Sequence, residues 1–108
     1  MINEITPEEL KKKLEAGEDI AILDVREPAE LLIASLGNTL HIPMRLLPDR
    51  LAELEPWKNS QLVVYCRSGG RSAKCVQFLK ASGFENVWNL SGGILSWAEK
   101  VEPHMAKY

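Results

Sequence analysis

The sequence predicts an α/β protein built on a mainly parallel β-sheet with helices on both faces. Residues 20–23 and 62–65 are continuous apolar runs, which are typical of strands buried on both faces of a sheet. Segments with helical spacing alternate with these strand-like segments, and this alternation is typical of parallel strands joined by helices. At 108 residues and 45% hydrophobic composition, the chain is large enough for one packed core.

The chain opens with a short strand and a helix. Residues 2–5 are predicted to form an edge strand, and residues 7–16 a helix. Thr6 provides a capping side chain, and the proline and glutamates that follow it are typical of a first helical turn. Leu10 and Leu14 lie four positions apart, so we expect both on the inner face of this helix.

The next elements lead to the middle of the chain. The buried strand 20–23 ends at Asp24, and a short helix over 26–33 follows, with a proline in its first turn. A third strand is predicted at 39–42 and a further helix at 48–54, which also opens on a proline.

The second half contains the strongest patterns. Strand 62–65 is followed by a helix over 71–82, for which Gly83 supplies the stop. A last strand at 87–90 and a helix at 94–101 complete the series. The apolar stripe of the longer helix consists of Cys75, Val76, Phe78 and Leu79.

Composition limits the classes of protein that need to be considered. We expect one domain over residues 1–108, with a short C-terminal tail from about residue 102. No apolar stretch approaches the roughly 20 residues of a membrane span, and two cysteines do not make a disulfide framework. We therefore expect a cytoplasmic protein with no membrane partner. His41 and His104 lie far from both cysteines, so we expect no metal site and no cofactor.

One segment combines a thiol with an anion-binding pattern. Strand 62–65 ends at Cys66, Gly69 and Gly70 permit a tight loop, and a helix begins at Arg71. Such a loop directs several amide N–H groups and the positive end of the helix dipole at one point. We expect this arrangement to hold the pKa of Cys66 below the usual value of about 8.5 and to make it a nucleophile.

The charge distribution supports an anion site at this loop. Residues 56–84 contain no acidic residue, although the whole chain has a net charge of −2. Lys74 and Lys80 are typical of a solvated helix face, whereas Arg67 and Arg71 flank the loop and are expected to bind an anion. The basic stretch is short and lacks interleaved aromatic residues, which argues against a nucleic-acid partner.

These segments together resemble the single-domain rhodanese-like sulfurtransferases. The similarity extends in order from about residue 5 to residue 100. It is carried by DVREP at 24–28 with Glu30, IP at 42–43, VYCRSGGRS at 64–72, GF at 83–84 and LSGGILSW at 90–97. Where that family usually has a glycine-histidine-isoleucine segment before the isoleucine-proline pair, this chain has ASLGNT at 34–39, so the acceptor preference is left open.

The resemblance implies a five-stranded parallel sheet between helices and a sulfur-transfer reaction. The loop cysteine of that family takes a sulfane sulfur from thiosulfate or a persulfide donor and passes it to cyanide or a thiol acceptor. A sulfur-relay protein is a further expected partner. The resemblance assigns the nucleophile to Cys66, and we expect Asp24 and Ser72 to be supporting residues. It assigns the substrate-binding cradle to Arg67, Ser68, Gly69, Gly70 and Arg71.

Several of these residues have structural alternatives. A buried cysteine is often only a small core residue, but a cysteine directly before a glycine loop is expected to be exposed, so we favour a reactive Cys66. Cys75 lies on the apolar stripe of its helix and is expected to be inert. Asp24 either supports the loop, by hydrogen bonds to its backbone or to an arginine, or caps the turn before the next helix.

Two other functions compete with sulfur transfer. Cysteine phosphatases and arsenate reductases place an arginine six residues after the cysteine, whereas that position here is Ser72 and the arginine is Arg71. The shorter loop predicts a ring of amides sized for a sulfur atom. A persulfide carrier in a protein relay is the closer alternative, and the sequence barely separates it from an independent enzyme.

Overall fold

The computed structural model describes residues 2–108 and confirms the α/β fold with a five-stranded parallel sheet. Every strand pairing is parallel. The strands are β1 (Asn3–Ile5), β2 (Ile20–Asp24), β3 (Leu40–His41), β4 (Gln61–Tyr65) and β5 (Val87–Leu90). The α-helices are α1 (Pro7–Glu15), α2 (Pro28–Leu31), α3 (Gly70–Ala81) and α4 (Gly93–Lys100).

The strand order places the predicted site in the middle of the sheet. The order is β1-β5-β4-β2-β3, so β4 has a neighbour on each side. Asp24 is paired in register with Tyr65, the last residue of β4, and Cys66 follows directly after that strand. Because the strands are parallel, Asp24 and Cys66 lie at the same edge of the sheet, where ligands bind in open α/β folds.

A separate hydrophobic cluster covers each face of the sheet. On one face, Cys75, Val76 and Leu79 of α3 pack against β-strand residues that include Val64. On the other face, Leu10 of α1 and Ile94 of α4 pack against a second set of strand residues. The alternation of side chains along each strand supplies both clusters, as the continuous apolar runs predict.

Three details differ from the sequence-based expectation. The short helix expected over 26–33 spans only Pro28–Leu31. The helix expected at 48–54 is a 3-10 segment over Pro48–Trp57, preceded by a shorter one at Met44–Leu46. Pro48 and Pro56 lack amide hydrogens and interrupt a regular α-helical ladder. Leu14 is also 39% exposed rather than buried, because it lies at the rim of a surface cavity that Leu36 and Trp97 also line.

No helix within residues 2–108 is long and apolar enough to cross a membrane.

Candidate active site

Cys66 lies directly after β4, in the loop that leads into α3, but it is not exposed as expected. Only 1% of the residue is accessible to solvent. The start of α4 covers the loop: the amides of Ile94 and Leu95 donate to the carbonyls of Cys66 (2.9 Å) and Arg67 (3.1 Å). These long-range hydrogen bonds fix the loop backbone, and they explain why a local sequence pattern overestimated the exposure of the thiol.

Gly93 makes this close approach possible. Its φ is +62°, and a Cβ atom built there would lie 2.5 Å from the carbonyl oxygen of Arg67 and 2.6 Å from that of Cys66. Any side chain would therefore collide with the loop backbone. The Gly92-Gly93 turn thus lets two loops pack together.

The Cys66 sulfur is surrounded by hydrogen-bond donors. The amide of Gly69 lies 3.1 Å from Sγ, and both the amide and the hydroxyl of Ser72 lie 3.4 Å away. Gly69 has a φ of +108°, a conformation that favours glycine. Burial disfavours the thiolate, but hydrogen bonds from Ser72, Gly69 and Ser68 outweigh it and hold the pKa of Cys66 below its usual range.

The Ser72 hydroxyl belongs to a chain of polar groups, running from the buried Ser72 and Asn89 to the exposed Glu4, that sequence reasoning missed. Its oxygen lies 2.5 Å from Oδ1 of Asn89, and the Asn89 amide group donates to Glu4 at 3.0 Å. Asn89 is 3% exposed. A buried polar residue in the otherwise apolar strand β5 was the available signal, because such groups require hydrogen-bond partners.

Arg71 forms a bidentate ion pair with Glu30 on α2. Its two terminal nitrogens donate to the two carboxylate oxygens, each at 2.8 Å. These hydrogen bonds outweigh partial burial and lower the pKa of Glu30 to about 2. Arg71, whose charge the sequence predicts to bind an anion, is therefore already paired with Glu30. The same ion pair connects α2 to the start of α3.

Arg67 occupies the outer rim of the loop. Its Nε donates to the main-chain oxygen of Tyr108, and its guanidinium lies over the Tyr108 ring, with the central carbon 5.3 Å from the ring centroid. Ser68 beside it is exposed, and Gly70 begins α3. Of the five predicted cradle residues, Ser68 and Gly69 donate amides to the Cys66 sulfur, whereas Arg67 lies on the solvent side of the loop and Arg71 is bound to Glu30.

Asp24 contacts an arginine, but not one from the cysteine loop. It is fully buried and accepts hydrogen bonds from Arg26 Nη2 at 2.7 Å and from the Tyr65 hydroxyl at 2.6 Å. Burial and the neighbouring Asp24 carboxylate raise the pKa of Tyr65. The Asp24 side chain also accepts from the Arg26 amide, which closes the turn after β2. Its support of the loop is therefore indirect.

The same network holds the atypical segment 34–39. Arg26 donates to the carbonyl of Ala34 at 2.8 Å, and the amide of Leu36 donates to the Tyr65 hydroxyl at 3.4 Å. His41 has a structural contact in the same network, because its Nε2 lies 2.7 Å from the carbonyl oxygen of Arg26. These contacts give segment 34–39 a defined path despite its departure from the usual family pattern.

Cys75 provides an internal reference for Cys66. It lies in the middle of α3 and is 2% exposed, as predicted from its place on the apolar stripe. Burial, with a smaller contribution from the Cys66 charge, raises the pKa of Cys75 to about 11. The two thiols therefore have opposite ionisation preferences.

The comparison with known proteins identifies the family. Residues 6–100 match the model of the rhodanese-like domain. A sulfurtransferase of Allochromatium vinosum is 40% identical over 106 residues, which cover 98% of this chain and 97% of that protein. The probable adenylyltransferase/sulfurtransferase MoeZ of Mycobacterium tuberculosis is 37% identical over 106 residues, covering 96% of this chain but 26% of that protein.

A solved structure agrees with this match along the entire fold. The crystal structure of a rhodanese-like domain protein from Staphylococcus aureus superposes with a TM-score of 0.84 at 33% identity, covering 99% of each chain. The chain therefore belongs to the rhodanese-like domain family.

Proposed function

We propose that this protein is a rhodanese-type sulfurtransferase that carries a sulfane sulfur on Cys66 as a persulfide. The observation that supports this most strongly is the ring of donors around Sγ, supplied by Gly69 and Ser72 at 3.1–3.4 Å. These donors stabilise a sulfur anion. The sulfurtransferase of Allochromatium vinosum, which is similar along nearly its whole length, supports the same reaction class.

Thiosulfate is a suitable donor in the first half-reaction. A lone pair of the Cys66 thiolate forms a bond to the outer sulfur of thiosulfate, and the sulfur–sulfur bond of thiosulfate breaks. Its electron pair leaves with sulfite, and Cys66 becomes a persulfide anion. The lowered pKa of Cys66 increases the fraction of the residue that is thiolate, and the thiolate attacks without a general base.

The second half-reaction returns the enzyme to its starting state. A lone pair on the carbon of cyanide, or on the sulfur of a thiolate, forms a bond to the outer persulfide sulfur. The bond to Cys66 Sγ breaks, and its electron pair restores the Cys66 thiolate. The amides that stabilise the thiolate also stabilise the negative charge that develops on Sγ, so one electrostatic arrangement serves both steps.

The state of Arg71 argues against phosphate or arsenate chemistry. Phosphoryl transfer requires cations that bind the equatorial oxygens of the transferred group. Arg71 instead donates both terminal nitrogens to Glu30 at 2.8 Å. The short spacing from Cys66 to Arg71 adds to this argument, since it leaves one residue fewer for a ring of amides around a phosphoryl group.

A protein acceptor is the second candidate for the physiological partner. The chain matches about a quarter of MoeZ, whose name combines an adenylyltransferase with a sulfurtransferase. A rhodanese-like segment within such a protein favours sulfur transfer between proteins over transfer to cyanide. In this version of the proposal Cys66 is a persulfide carrier, and the cytoplasm, as a reducing compartment, suits its free thiol.

The covalent intermediate is the direct test. Incubation with thiosulfate in the absence of acceptor should make the intact protein heavier by one sulfur atom, and cyanide should remove that atom. Cys66→Ser should remain at its original mass, whereas Cys75→Ser should gain the sulfur. The same preparation should not release phosphate from p-nitrophenyl phosphate. Phosphate release without a sulfur adduct would overturn the proposed reaction.

A further inference from the structure

The segment that follows α4 returns to the cysteine loop. Residues from 102 onward are expected from sequence to form a short tail, but Val101, Met105 and Tyr108 pack as half-buried residues against the hydrophobic cluster of α1 and α4. The amide of Met105 donates to the carbonyl of Glu102 at 2.9 Å, which turns the chain. As a result Tyr108 lies at the rim of the active site.

Tyr108 contacts Glu30, the partner of Arg71, and also Arg67 at the rim of the cysteine loop. The Tyr108 hydroxyl accepts a hydrogen bond from Arg26 Nη1 at 2.9 Å and donates one to Glu30 Oε1 at 2.8 Å. Glu30 in turn holds Arg71. The ring of Tyr108 also contacts Arg67, whose guanidinium carbon lies 5.3 Å from the ring centroid. A single side chain thus links the rim arginine to the ion pair at the start of α3.

We propose that Tyr108 is a positioning residue that fixes Arg67 at the mouth of the site and thereby sets the preference for anionic sulfur donors. An exposed arginine samples many rotamers, and each rotamer places its charge elsewhere. The aromatic face and the main-chain oxygen of Tyr108 hold the guanidinium through its ring contact and its Nε. Within residues 2–108, the terminal nitrogens Nη1 and Nη2 of Arg67 have no hydrogen-bond partner, which leaves them for an oxyanion.

The inference deepens the proposed function, but its test does not depend on sulfur transfer. Iodoacetate and iodoacetamide both alkylate a thiolate with loss of iodide, and only iodoacetate carries a negative charge. The ratio of their second-order rate constants at Cys66 therefore cancels the thiolate fraction and reports the local positive potential. The background for all measurements is Cys75→Ser, so that Cys66 is the only thiol.

Tyr108→Leu removes the aromatic face and the hydroxyl while keeping an apolar side chain for packing. We expect the iodoacetate to iodoacetamide ratio to fall by about twofold to threefold, the size expected for one unit charge about 6 Å away in water. Tyr108→Phe keeps the face that holds Arg67, so its ratio should stay close to that of the parent. His104→Ala, an exposed position of the same segment, is the matched control and should leave the ratio unchanged.

A double variant assigns the effect to Arg67. Arg67→Ala should lower the ratio by about threefold, and adding Tyr108→Leu should lower it no further, because the two residues act through one charge. An unchanged or increased ratio in Tyr108→Leu would overturn the proposal, as would an equal fall in Tyr108→Phe or full additivity with Arg67→Ala. An increase would mean that Tyr108 shields the site from anions.

Thiosulfate kinetics then connect the position of Arg67 to the donor. Tyr108→Leu should raise the KM for thiosulfate by about twofold to threefold with little change in kcat, since the charge acts on binding of the donor. A fall in kcat at constant KM would overturn the assignment to donor binding. If the parent protein forms no persulfide, the proposed function fails, while the alkylation ratio still decides the role of Tyr108.

Discussion

Cys66 and Cys75 are two buried thiols on the same strand-loop-helix unit, and their pKa values are shifted in opposite directions. Their exposed fractions are 1% and 2%, so burial alone predicts a raised pKa for both. The pKa of Cys75 is indeed raised, to about 11, whereas that of Cys66 is lowered despite its burial. The comparison teaches that the position of a thiol relative to the start of a helix decides its reactivity more than its exposure does.

The reason is the supply of free amide hydrogens. Cys75 lies within α3, where the amides of the preceding and following turns are bonded to helix carbonyls. Cys66 lies just before α3, where the amides of Gly69 and Ser72 point at its sulfur. A buried thiolate needs such donors in place of water. The four predictions below test this difference, from the largest expected effect to the smallest.

Exchange of each cysteine for serine is the most severe test. Cys66→Ser should lower thiosulfate:cyanide sulfur transfer by at least about a thousandfold, because the covalent nucleophile is lost. Cys75→Ser should retain most of the activity, since its sulfur makes only packing contacts in the core. Steady-state rates and far-UV spectra of both variants provide the measurement. Substantial activity in a folded Cys66→Ser variant would contradict the mechanism.

The pH dependence of alkylation compares the two thiols directly. Each single-cysteine variant is treated with iodoacetamide from pH 5 to pH 11. A lowered pKa means that the thiolate fraction of Cys66 is already large at a pH where an ordinary thiol is protonated, so its rate should reach a plateau at lower pH. The rate for Cys75 should still be rising near pH 10, because its pKa is raised to about 11. Coincident profiles would show that the loop does not activate Cys66.

The reactive loop was predictable from sequence because its causes are local. An apolar strand that ends at Cys66 and a glycine pair before a helix set the backbone path over a few residues, and the parallel sheet with its carboxyl-edge site followed from similar patterns. The same local pattern led to the prediction that Cys66 is exposed, which was wrong. The residues of α4 that cover the loop lie far away along the chain, and no periodicity links the two segments.

Long-range polar contacts escaped prediction for the same reason. The hydrogen bond between Tyr108 and Glu30 joins residues separated by most of the chain. Nothing in the spacing of a polar terminal segment indicates where its aromatic residue docks. Asn89 was missed as well, although an amide within an apolar strand requires a buried partner; that partner is Ser72.

Gly93 tests whether the loop depends on the close approach of α4. Gly93→Ala introduces a Cβ within 2.6 Å of the carbonyls of Cys66 and Arg67, at a φ of +62°. We expect the free energy of unfolding to fall by about 2–5 kcal/mol, from left-handed strain and overpacking together.

Gly17→Ala is the matched control, because Gly17 has a φ of +74° but no atom within 4 Å of the added Cβ. Its cost should be left-handed strain alone, about 1–2 kcal/mol. Urea denaturation measures both. In Gly93→Ala, but not in Gly17→Ala, the alkylation midpoint of Cys66 should also move to higher pH. Equal losses of stability in the two variants would mean that the approach of α4 does not constrain the loop.

The smallest expected effect comes from the Ser72 hydroxyl. This group lies 3.4 Å from Sγ and 3.2 Å from the carbonyl of Gly69 but only 2.5 Å from Oδ1 of Asn89, and its single proton cannot serve all three acceptors. Ser72→Ala keeps the amide at 3.4 Å and removes only the shared donor. The pKa of Cys66 should therefore rise, and sulfur transfer at neutral pH should fall by about fivefold or less, the value of one ordinary hydrogen bond.

Ser82→Ala is the control for this substitution, since its hydroxyl donates to the carbonyl of Phe78 at the opposite end of α3 and should leave Cys66 unaffected. The pH dependence of alkylation distinguishes the two variants. A loss of activity in Ser72→Ala comparable with that of Cys66→Ser would mean that the hydroxyl, and not the ring of amides, carries the stabilisation of the thiolate. An unshifted alkylation midpoint would mean that the proton remains with Asn89, so that Ser72 contributes only its amide to the difference between the two cysteines.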